Sequence, residues 1–139
     1  MRVLILLPPS EGKTAPASGP SLELGSLLDA ERLTPPRREV MSALAEVSRR
    51  PDGPSVLGLG PRSAELAEAN LSLEASPCAP AYQLFTGVLY EAAGLDSIAR
   101  NTAGRRALER HCVIFSGLWG VLSPTDSVPN HRLSMGTSL

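Results

Sequence analysis

The stretch Val3-Leu4-Ile5-Leu6-Leu7-Pro8-Pro9 decides the fold class, because five apolar residues run without interruption into two prolines. A continuous apolar run of this length is typical of a strand that is buried on both faces. Proline lacks the backbone N–H that a sheet requires, so the two prolines end the strand. A second apolar run, Cys112-Val113-Ile114-Phe115-Ser116, predicts another strand near the far end of the chain.

Between these two runs the sequence has helical patterns. Thr34 and Pro35 predict the start of a helix, with Thr34 as its N-cap and Pro35 in its first turn. The buried stripe of this helix is predicted at the spacing i, i+3, i+4, i+7, by Val40, Ala43, Leu44 and Val47. Further helices are predicted over residues 61–74, 83–93 and 102–111. The helix at 83–93 has Leu84, Val88 and Ala92 on one face and Gly94 as its C-terminal cap. Helices between strands predict an α/β fold in which helices surround a mixed sheet.

The remaining segments give weaker signals. Residues 55–60 fit either a short strand or a packed turn, and residues 76–80 read as a loop. Residues 14–25 and the chain after Leu122 are rich in turn-forming residues, so we predict no regular structure there. The ending lacks a closing helix or strand, which suggests a fragment of a longer domain.

The bulk composition limits the possible functions. A length of 139 residues predicts a single domain over residues 1–139. The net charge of −1, from 13 basic and 14 acidic residues, gives the whole chain no preference for nucleic acid or membrane, so a basic site must be local. No apolar run approaches the roughly 20 residues that span a bilayer. The two isolated cysteines, Cys78 and Cys112, fit a reducing compartment, and we therefore expect a cytoplasmic protein without membrane partners.

The loop after the first strand is the first candidate site. In Ser10-Glu11-Gly12-Lys13-Thr14, a lysine lies beside glycine and two hydroxyl residues at the carboxyl end of a strand, where α/β proteins bind ligands. Gly12-Lys13-Thr14 matches the end of the phosphate-binding P-loop, but Leu7 occupies the position of its first glycine and the two prolines remove backbone donors. Nucleotide hydrolysis is therefore poorly supported. The alternative is an exposed turn with a solvated lysine.

The second candidate is a helix-hairpin-helix-like element around residues 85–96. Hairpin amides and nearby cations in such elements contact one phosphate backbone. A run of cations follows it, which would form a local basic face: Arg100, Arg105, Arg106 and Arg110. The alternative is an ordinary helix end followed by a solvated charged face.

The third segment, Ser116-Gly117-Leu118-Trp119-Gly120, supports no catalytic site. The residues around Ser116 do not fit the G-x-S-x-G turn of a hydrolase nucleophile. Trp119 between two glycines indicates close packing in the core. The histidines and cysteines have no zinc-ligand spacing, so we expect neither a metal nor a cofactor.

Taken in order, these blocks resemble the YaaA-like peroxide-stress proteins. The matching segments are LLPPSEGKT at 6–14, FTGVLY at 85–90 with Gly94-Leu95, FSGLWGVL at 115–122, and HRLSMG at 131–136. His131 stands where tyrosine is expected in the family, and Ser123 where arginine is common. The chain also ends at Leu139, whereas family members continue into a second half, so the resemblance implies an N-terminal portion whose C-terminal half is missing.

The resemblance implies an α/β fold with a basic cleft, a helix-hairpin-helix element, DNA binding without strong sequence preference, and a role in limiting iron-driven damage during peroxide stress. It places Lys13, Tyr90 and Arg132 in the cleft, and we expect Ser10 and Thr14 beside them, with the four arginines as auxiliary phosphate contacts. No catalytic residue is implied. The alternative function is an enzyme that acts on a nucleotide or small phosphorylated substrate with Lys13 as the phosphate clamp. Self-association is expected through apolar surface that a missing half would cover.

Overall fold

In a computed structural model that describes residues 2–139, the chain is an α/β protein with two small sheets. The larger sheet has strand β1 (Ile5–Leu7) parallel to β3 (Cys112–Ser116), with β4 (Gly120–Leu122) antiparallel to β3 on its other side. The smaller sheet pairs β2 (Cys78–Pro80) with β5 (Ser127–Pro129) in antiparallel register. The α/β class predicted from sequence is confirmed, and the sheet is mixed.

Strand β1 lies at the edge of its sheet, and most of its apolar side chains are exposed to solvent. This exposure contradicts the prediction that the strand is buried on both faces. Val3, Leu4, Ile5 and Leu6 are 48%, 58%, 48% and 57% exposed, and only Leu7 is buried. Within residues 2–139 the strand pairs with β3 alone, so its other edge and much of its apolar surface face solvent. The apolar run predicted the strand correctly but not its surroundings.

Helix α1 (Ala30–Arg49) begins four residues before the predicted N-cap. Asp29 precedes it in the left-handed conformation, with φ 51 and ψ 42, and Pro35 and Pro36 lie inside the helix. Proline inside a helix removes a hydrogen bond, which is why its presence suggested a start. The buried stripe is Arg37, Met41, Leu44 and Val47, so Leu44 and Val47 are buried as predicted, whereas Val40 and Ala43 are only partly buried.

Tertiary contacts of Arg37 hold this helix against the larger sheet. The side chain is 2% exposed, and its guanidinium donates to the carbonyl oxygens of Leu28 at 2.8 Å, Trp119 at 2.8 Å and Val121 at 2.9 Å. Hydrogen bonds from a charged donor contribute more than neutral ones. These contacts explain why α1 continues across its prolines.

Short helices follow α1, and several predicted boundaries change. Helix α2 (Gly53–Val56) takes the start of the segment 55–60, and the rest of that segment is a packed turn with Leu57 and Leu59 buried, not a strand. Pro61–Leu71 is a 3₁₀ segment, not an α-helix. The predicted helix at 83–93 is broken into α3 (Ala81–Leu84) and α4 (Val88–Ala93). Helices α5 (Leu95–Ile98) and α6 (Thr102–His111) complete the chain's helices among the described residues, and α6 has the predicted bounds.

The core lies between α1, the short helices and the β3–β4 hairpin. Leu44, Leu84, Ile114, Trp119 and Leu122 are fully buried in it. Trp119 is a core residue, as predicted, whereas Val88 is 88% exposed and does not share a face with Leu84. No helix within residues 2–139 combines the length and the apolar composition that crossing a bilayer requires.

Candidate anion-binding site

The loop that follows β1 is held against residues 84–87 by backbone hydrogen bonds. The Thr14 amide donates to Leu84 O at 2.9 Å, and the Thr86 amide donates to Gly12 O at 3.0 Å. The Ser10 hydroxyl lies within hydrogen-bond distance of the carbonyl oxygens of Thr86 and Gly12. Gly87 has φ 119, a left-handed value that disfavours any side chain at this contact. Two of the sequence blocks thus form one structural unit.

Lys13 is partly buried in this unit. Its ammonium donates to Ser10 O at 2.8 Å and lies 5.6 Å from the centroid of the Phe85 ring, which is itself buried. Burial, together with the positive charge of Arg132, lowers the pKa of Lys13 to about 8, and Glu11 opposes this shift. Lys13 is therefore a cation in a place that disfavours its charge, and an anion beside it would favour the charged form.

Arg132 reaches the same place from the far end of the chain. The Asn70 side chain accepts from the Arg132 amide at 2.8 Å and donates to the Arg132 carbonyl at 2.9 Å, which fixes the backbone of Arg132 on both sides. The guanidinium donates to Glu11 O at 3.2 Å and Glu11 Oε2 at 3.3 Å, while its Nε is buried without a partner. Arg132 has unused donor capacity.

Glu11 supplies the negative charge of the site. Its carboxylate accepts a hydrogen bond from the Ser134 hydroxyl and pairs with Arg132. The Ser134 hydrogen bond, and then the charges of Arg132 and Lys13, lower the pKa of Glu11. The side chain of Glu11 is 63% exposed, so its carboxylate remains accessible to solvent while it pairs with Arg132.

His131 lines the pocket as a neutral group. It is 4% exposed, and its ring lies edge-on to Trp119 and Phe85 at centroid distances of 5.6 and 6.1 Å. Burial, and then the charge of Lys13, lower the pKa of His131 to about 3. Its Nδ1 lies 2.8 Å from the carbonyl of Pro129, so in the neutral ring Nδ1 carries the proton and donates it. His131 adds no charge at neutral pH.

These groups surround a pocket of about 220 Å³. Its lining residues come from three separate parts of the chain: Glu11, Gly12, Lys13, Leu66, Asn130, His131 and Arg132. Two cations, one exposed carboxylate and a neutral imidazole make a site suited to a small anionic group. No group of three metal-ligating side chains occurs among residues 2–139.

Tyr90 and Thr14 lie beside the pocket without lining it. The Tyr90 hydroxyl donates to Pro8 O at 2.6 Å, and its ring centroid lies 5.7 Å from that of Phe85. Tyr90 therefore holds the start of the loop that follows β1. Burial raises the pKa of Tyr90, which keeps the hydroxyl a donor. Thr14 is exposed next to Lys13.

The predicted arginine face is a separate surface, outside the residues that line the pocket. Arg100, Arg106 and Arg110 are exposed, and Arg105 donates to Ala99 O at 2.8 Å and to the Thr102 hydroxyl at 3.3 Å. Upstream, α4 and α5 are joined by Gly94 alone, in the left-handed conformation with φ 63.

Sequence reasoning missed Glu11, Asn70 and Ser134. Glu11 could have been found, since it is two positions from Lys13 in the same loop. Asn70 and Ser134 carry no local signal, because their roles depend on contacts with Arg132 and Glu11 that only the folded chain creates.

The family model described as peroxide stress protein YaaA matches residues 3–139. The chain belongs to the YaaA family. It is 39% identical over 139 residues to a UPF0246 protein of Streptomyces coelicolor, covering 99% of this chain and 52% of the relative. A UPF0246 protein of Corynebacterium glutamicum is 40% identical over 137 residues, and one of Cereibacter sphaeroides is 35% identical over 130. The chain spans about half the length of these UPF0246 relatives, and the family resemblance predicted from sequence is confirmed.

Proposed function

We propose that this YaaA-family chain binds the phosphate backbone of DNA at the Lys13–Arg132 pocket, in the cytoplasm, and so helps to limit iron-driven oxidative damage during peroxide stress. One observation carries the proposal. Lys13 and Arg132, from opposite ends of the chain, line one pocket and are close enough for Arg132 to lower the pKa of Lys13. Two cations brought together by the fold are stabilised by an anion between them.

The charge balance of the pocket favours a phosphate. With Lys13 protonated, the pocket carries two positive charges against the single carboxylate of Glu11. A phosphate group would raise the pKa of Lys13 and satisfy donors of Arg132 that now bond weakly to Glu11. Backbone phosphates are available at every step of a nucleic acid, and contacts to them position a protein without reading sequence.

The other predicted contacts extend this proposal over a wider surface. The exposed Thr14 hydroxyl next to Lys13 can donate to a phosphate oxygen, while the Ser10 hydroxyl already has backbone acceptors. We infer that α4, Gly94 and α5 act as the helix-hairpin-helix-like element. The arginines Arg100, Arg105, Arg106 and Arg110 then provide auxiliary contacts to neighbouring phosphates.

The test is fluorescence anisotropy of labelled intact and bulged duplexes at two salt concentrations. Lys13→Met and Arg132→Gln remove one charge each from the pocket. Each should weaken binding and reduce the slope of log affinity against log salt by about 0.9 per lost phosphate contact. Arg32→Gln is the charge-matched control, because the Arg32 side chain is 84% exposed and lies outside the pocket.

The proposal fails if the folded chain does not bind DNA at low salt. It also fails if Arg32→Gln reduces affinity as much as the two pocket variants, since binding would then follow net charge and not the pocket. Circular dichroism of each variant establishes that it is folded.

A second candidate is an enzyme that acts on a nucleotide or small phosphorylated substrate. The pocket volume of about 220 Å³ favours it, because this space holds one small group and not an extended strand. ATP with Mg²⁺ would then raise the melting temperature in proportion to RT ln(1 + [L]/Kd), whereas duplex DNA would not. A larger stabilisation by DNA than by ATP at matched phosphate concentration would contradict this candidate.

The edge strand supports the predicted self-association. Val3, Leu4, Ile5 and Leu6 place roughly half-exposed apolar side chains beside an unpaired strand edge, within the part of the chain described. Such edges pair with other strands. Light scattering should detect concentration-dependent dimers that Leu4→Lys abolishes, and a monomer at all concentrations would contradict the idea.

A further inference from the structure

Lys13 is the single lysine of the chain, whereas the other twelve cations are arginines. An arginine stays protonated and cannot act as a nucleophile in proteins, but a lysine can once it loses its proton. The single lysine of these 139 residues therefore lines the Lys13–Arg132 pocket. Phosphate binding alone does not require this difference, because arginine is the better phosphate ligand.

The geometry around Lys13 is that of a positioned amine. One N–H is directed to Ser10 O at 2.8 Å, and the face of Phe85 lies on another side at 5.6 Å, so the nitrogen has a fixed orientation. The amine borders a pocket of about 220 Å³ that also contains Arg132. A ligand in that pocket would meet the amine and the guanidinium together.

We propose that Lys13 is a reactive amine that forms a reversible imine with an aldehyde or ketone carrying an anionic group, which Arg132 holds. The Lys13 nitrogen attacks the carbonyl carbon, a C–N bond forms, and the C=O electron pair moves to oxygen. The resulting carbinolamine loses its oxygen as water. Both hydrogens of the neutral amine leave in that water, a C=N bond remains, and no oxidant or reductant takes part.

The ionisation of Lys13 supports this reaction. A pKa of about 8 for Lys13 leaves roughly a quarter of the amine unprotonated at pH 7.5, against roughly 0.1% for a lysine with the ordinary value of 10.5. Desolvation of a lysine in an apolar environment beside another cation is an established way to activate it as a nucleophile. The neutral His131 leaves Arg132 and Lys13 as the pocket's positive groups.

Two sources supply this carbonyl chemistry. One is a free 2-oxo acid, whose carboxylate would bind Arg132. The other is the ring-opened sugar aldehyde of an abasic position in DNA, which lies between two phosphates. The abasic source rests on the proposed DNA binding, whereas the reactive amine does not.

The experiment is reductive trapping of the full chain with glyoxylate and cyanoborohydride, followed by peptide mass spectrometry. The α-amino group of Met1 is the internal reference, because with a single lysine it is the other amine that can react. We expect Lys13 to be carboxymethylated at least ten-fold faster than the α-amino group at pH 7.5. The rate should rise with pH and level off above about 8.

Two comparisons make the result specific to the pocket. Acetaldehyde lacks the anionic group, so Lys13 should lose most of its advantage over the α-amino group with this reagent. Arg132→Gln should reduce the glyoxylate rate more than the acetaldehyde rate, because it removes the contact to the anionic group as well as a charge that lowers the pKa of Lys13. Its melting temperature establishes folding. The proposal is overturned if Lys13 reacts no faster than the α-amino group, or if its rate still rises steeply above pH 9.

A second arm replaces glyoxylate with duplex DNA containing one abasic position and uses borohydride. A covalent complex at Lys13 identifies the DNA aldehyde as the source, and trapping of glyoxylate alone identifies the free oxo acid; both outcomes support the reactive amine. Intact duplex binding is measured in parallel. Loss of intact-duplex binding with glyoxylate trapping retained would reject the proposed function and keep this inference, while the reverse result would reject this inference alone.

Discussion

Two positively charged regions of this molecule are built in different ways. The pocket joins Glu11 and Arg132, which are 121 positions apart, and partly buries Lys13 between them. The arginine face instead comes from one short stretch around α6, where Arg106 and Arg110 extend into solvent. Charges of the first kind are costly to hold and respond strongly to their neighbours, whereas exposed charges are screened by solvent. The two regions therefore differ in burial: the pocket lowers the pKa of a partly buried lysine, whereas the arginine face is exposed to solvent.

The largest effect should come from the anchor of the pocket. Asn70 is 1% exposed and makes hydrogen bonds to both backbone groups of Arg132 and to the Ser48 hydroxyl. Asn70→Ala should lower the free energy of unfolding by about 3 kcal/mol, because it leaves buried polar groups unsatisfied. Urea unfolding measures the loss. Ser48→Ala is the control and should cost about 1 kcal/mol or less; equal losses in the two variants would show that the Arg132 contacts do not hold the fold.

The second effect is the pH dependence of stability that Lys13 causes. Its pKa is about 8 in the folded chain and 10.5 as the reference value, so the unfolded state binds more protons between these values. Wild-type stability should be penalised in full below pH 8 and should recover as pH rises to 10.5, by on the order of 3 kcal/mol. Lys13→Met carries no such penalty.

The measurement is the difference in unfolding free energy between Lys13→Met and wild type at several pH values. This difference should shrink between pH 8 and 10.5, and taking it removes the shared titration of cysteine and tyrosine. Arg106→Gln serves as the comparison from the arginine face and should show a constant difference. If the difference in unfolding free energy for Lys13→Met were also independent of pH, burial would not lower the pKa of Lys13, and the pocket and the arginine face would not differ in this respect.

Removing the carboxylate of Glu11 should increase the affinity of the pocket for anions. Glu11→Gln frees Arg132 from its ion pair, so affinity for inorganic phosphate and for DNA should rise by about three- to ten-fold, equivalent to roughly 1 kcal/mol. Isothermal titration at low salt measures it. Glu39→Gln, an exposed position on α1, is the matched control for net charge. Unchanged or weaker binding in Glu11→Gln would show that Glu11 does not compete with the ligand.

The smallest effect should come from the arginine face. The double variant Arg106→Gln with Arg110→Gln should change the free energy of unfolding by less than about 0.5 kcal/mol, since both side chains are exposed. Its DNA affinity should fall modestly at low salt and match wild type at high salt. A salt-independent loss would contradict the description of this face as solvated.

What the sequence predicted well is what local patterns determine. Helix α6 and strand β3 occupy the predicted residues. Helix α6 has its own N-cap, because the Asn101 side chain accepts a hydrogen bond from the Gly104 amide at 2.7 Å. Strands β4 and β5 were missed. Each has three residues, and β5 exists because it pairs with β2, from a segment predicted to be a loop.

The site was only partly predictable for the same reason. Lys13 and Arg132 were selected on their motifs, and the chain does bring them into one pocket. That they meet depends on Asn70, whose contacts with Arg132 span 62 positions. A pattern read in a short window contains no information about such pairings, nor about which side of β1 is left uncovered.

The pairing of β1 with β3 also determines when β1 can fold during synthesis. His111 bonds to the carbonyl of Val3 across 108 positions, and Arg132 reaches Glu11 across 121. At a translation rate of roughly 5 to 20 residues per second, the first strand waits roughly 5 to 25 seconds for its partners. During that interval the apolar residues of β1 have no strand partner. Strand β1 therefore remains without a partner for longer than β3, whose partner β4 begins only four positions after β3 ends.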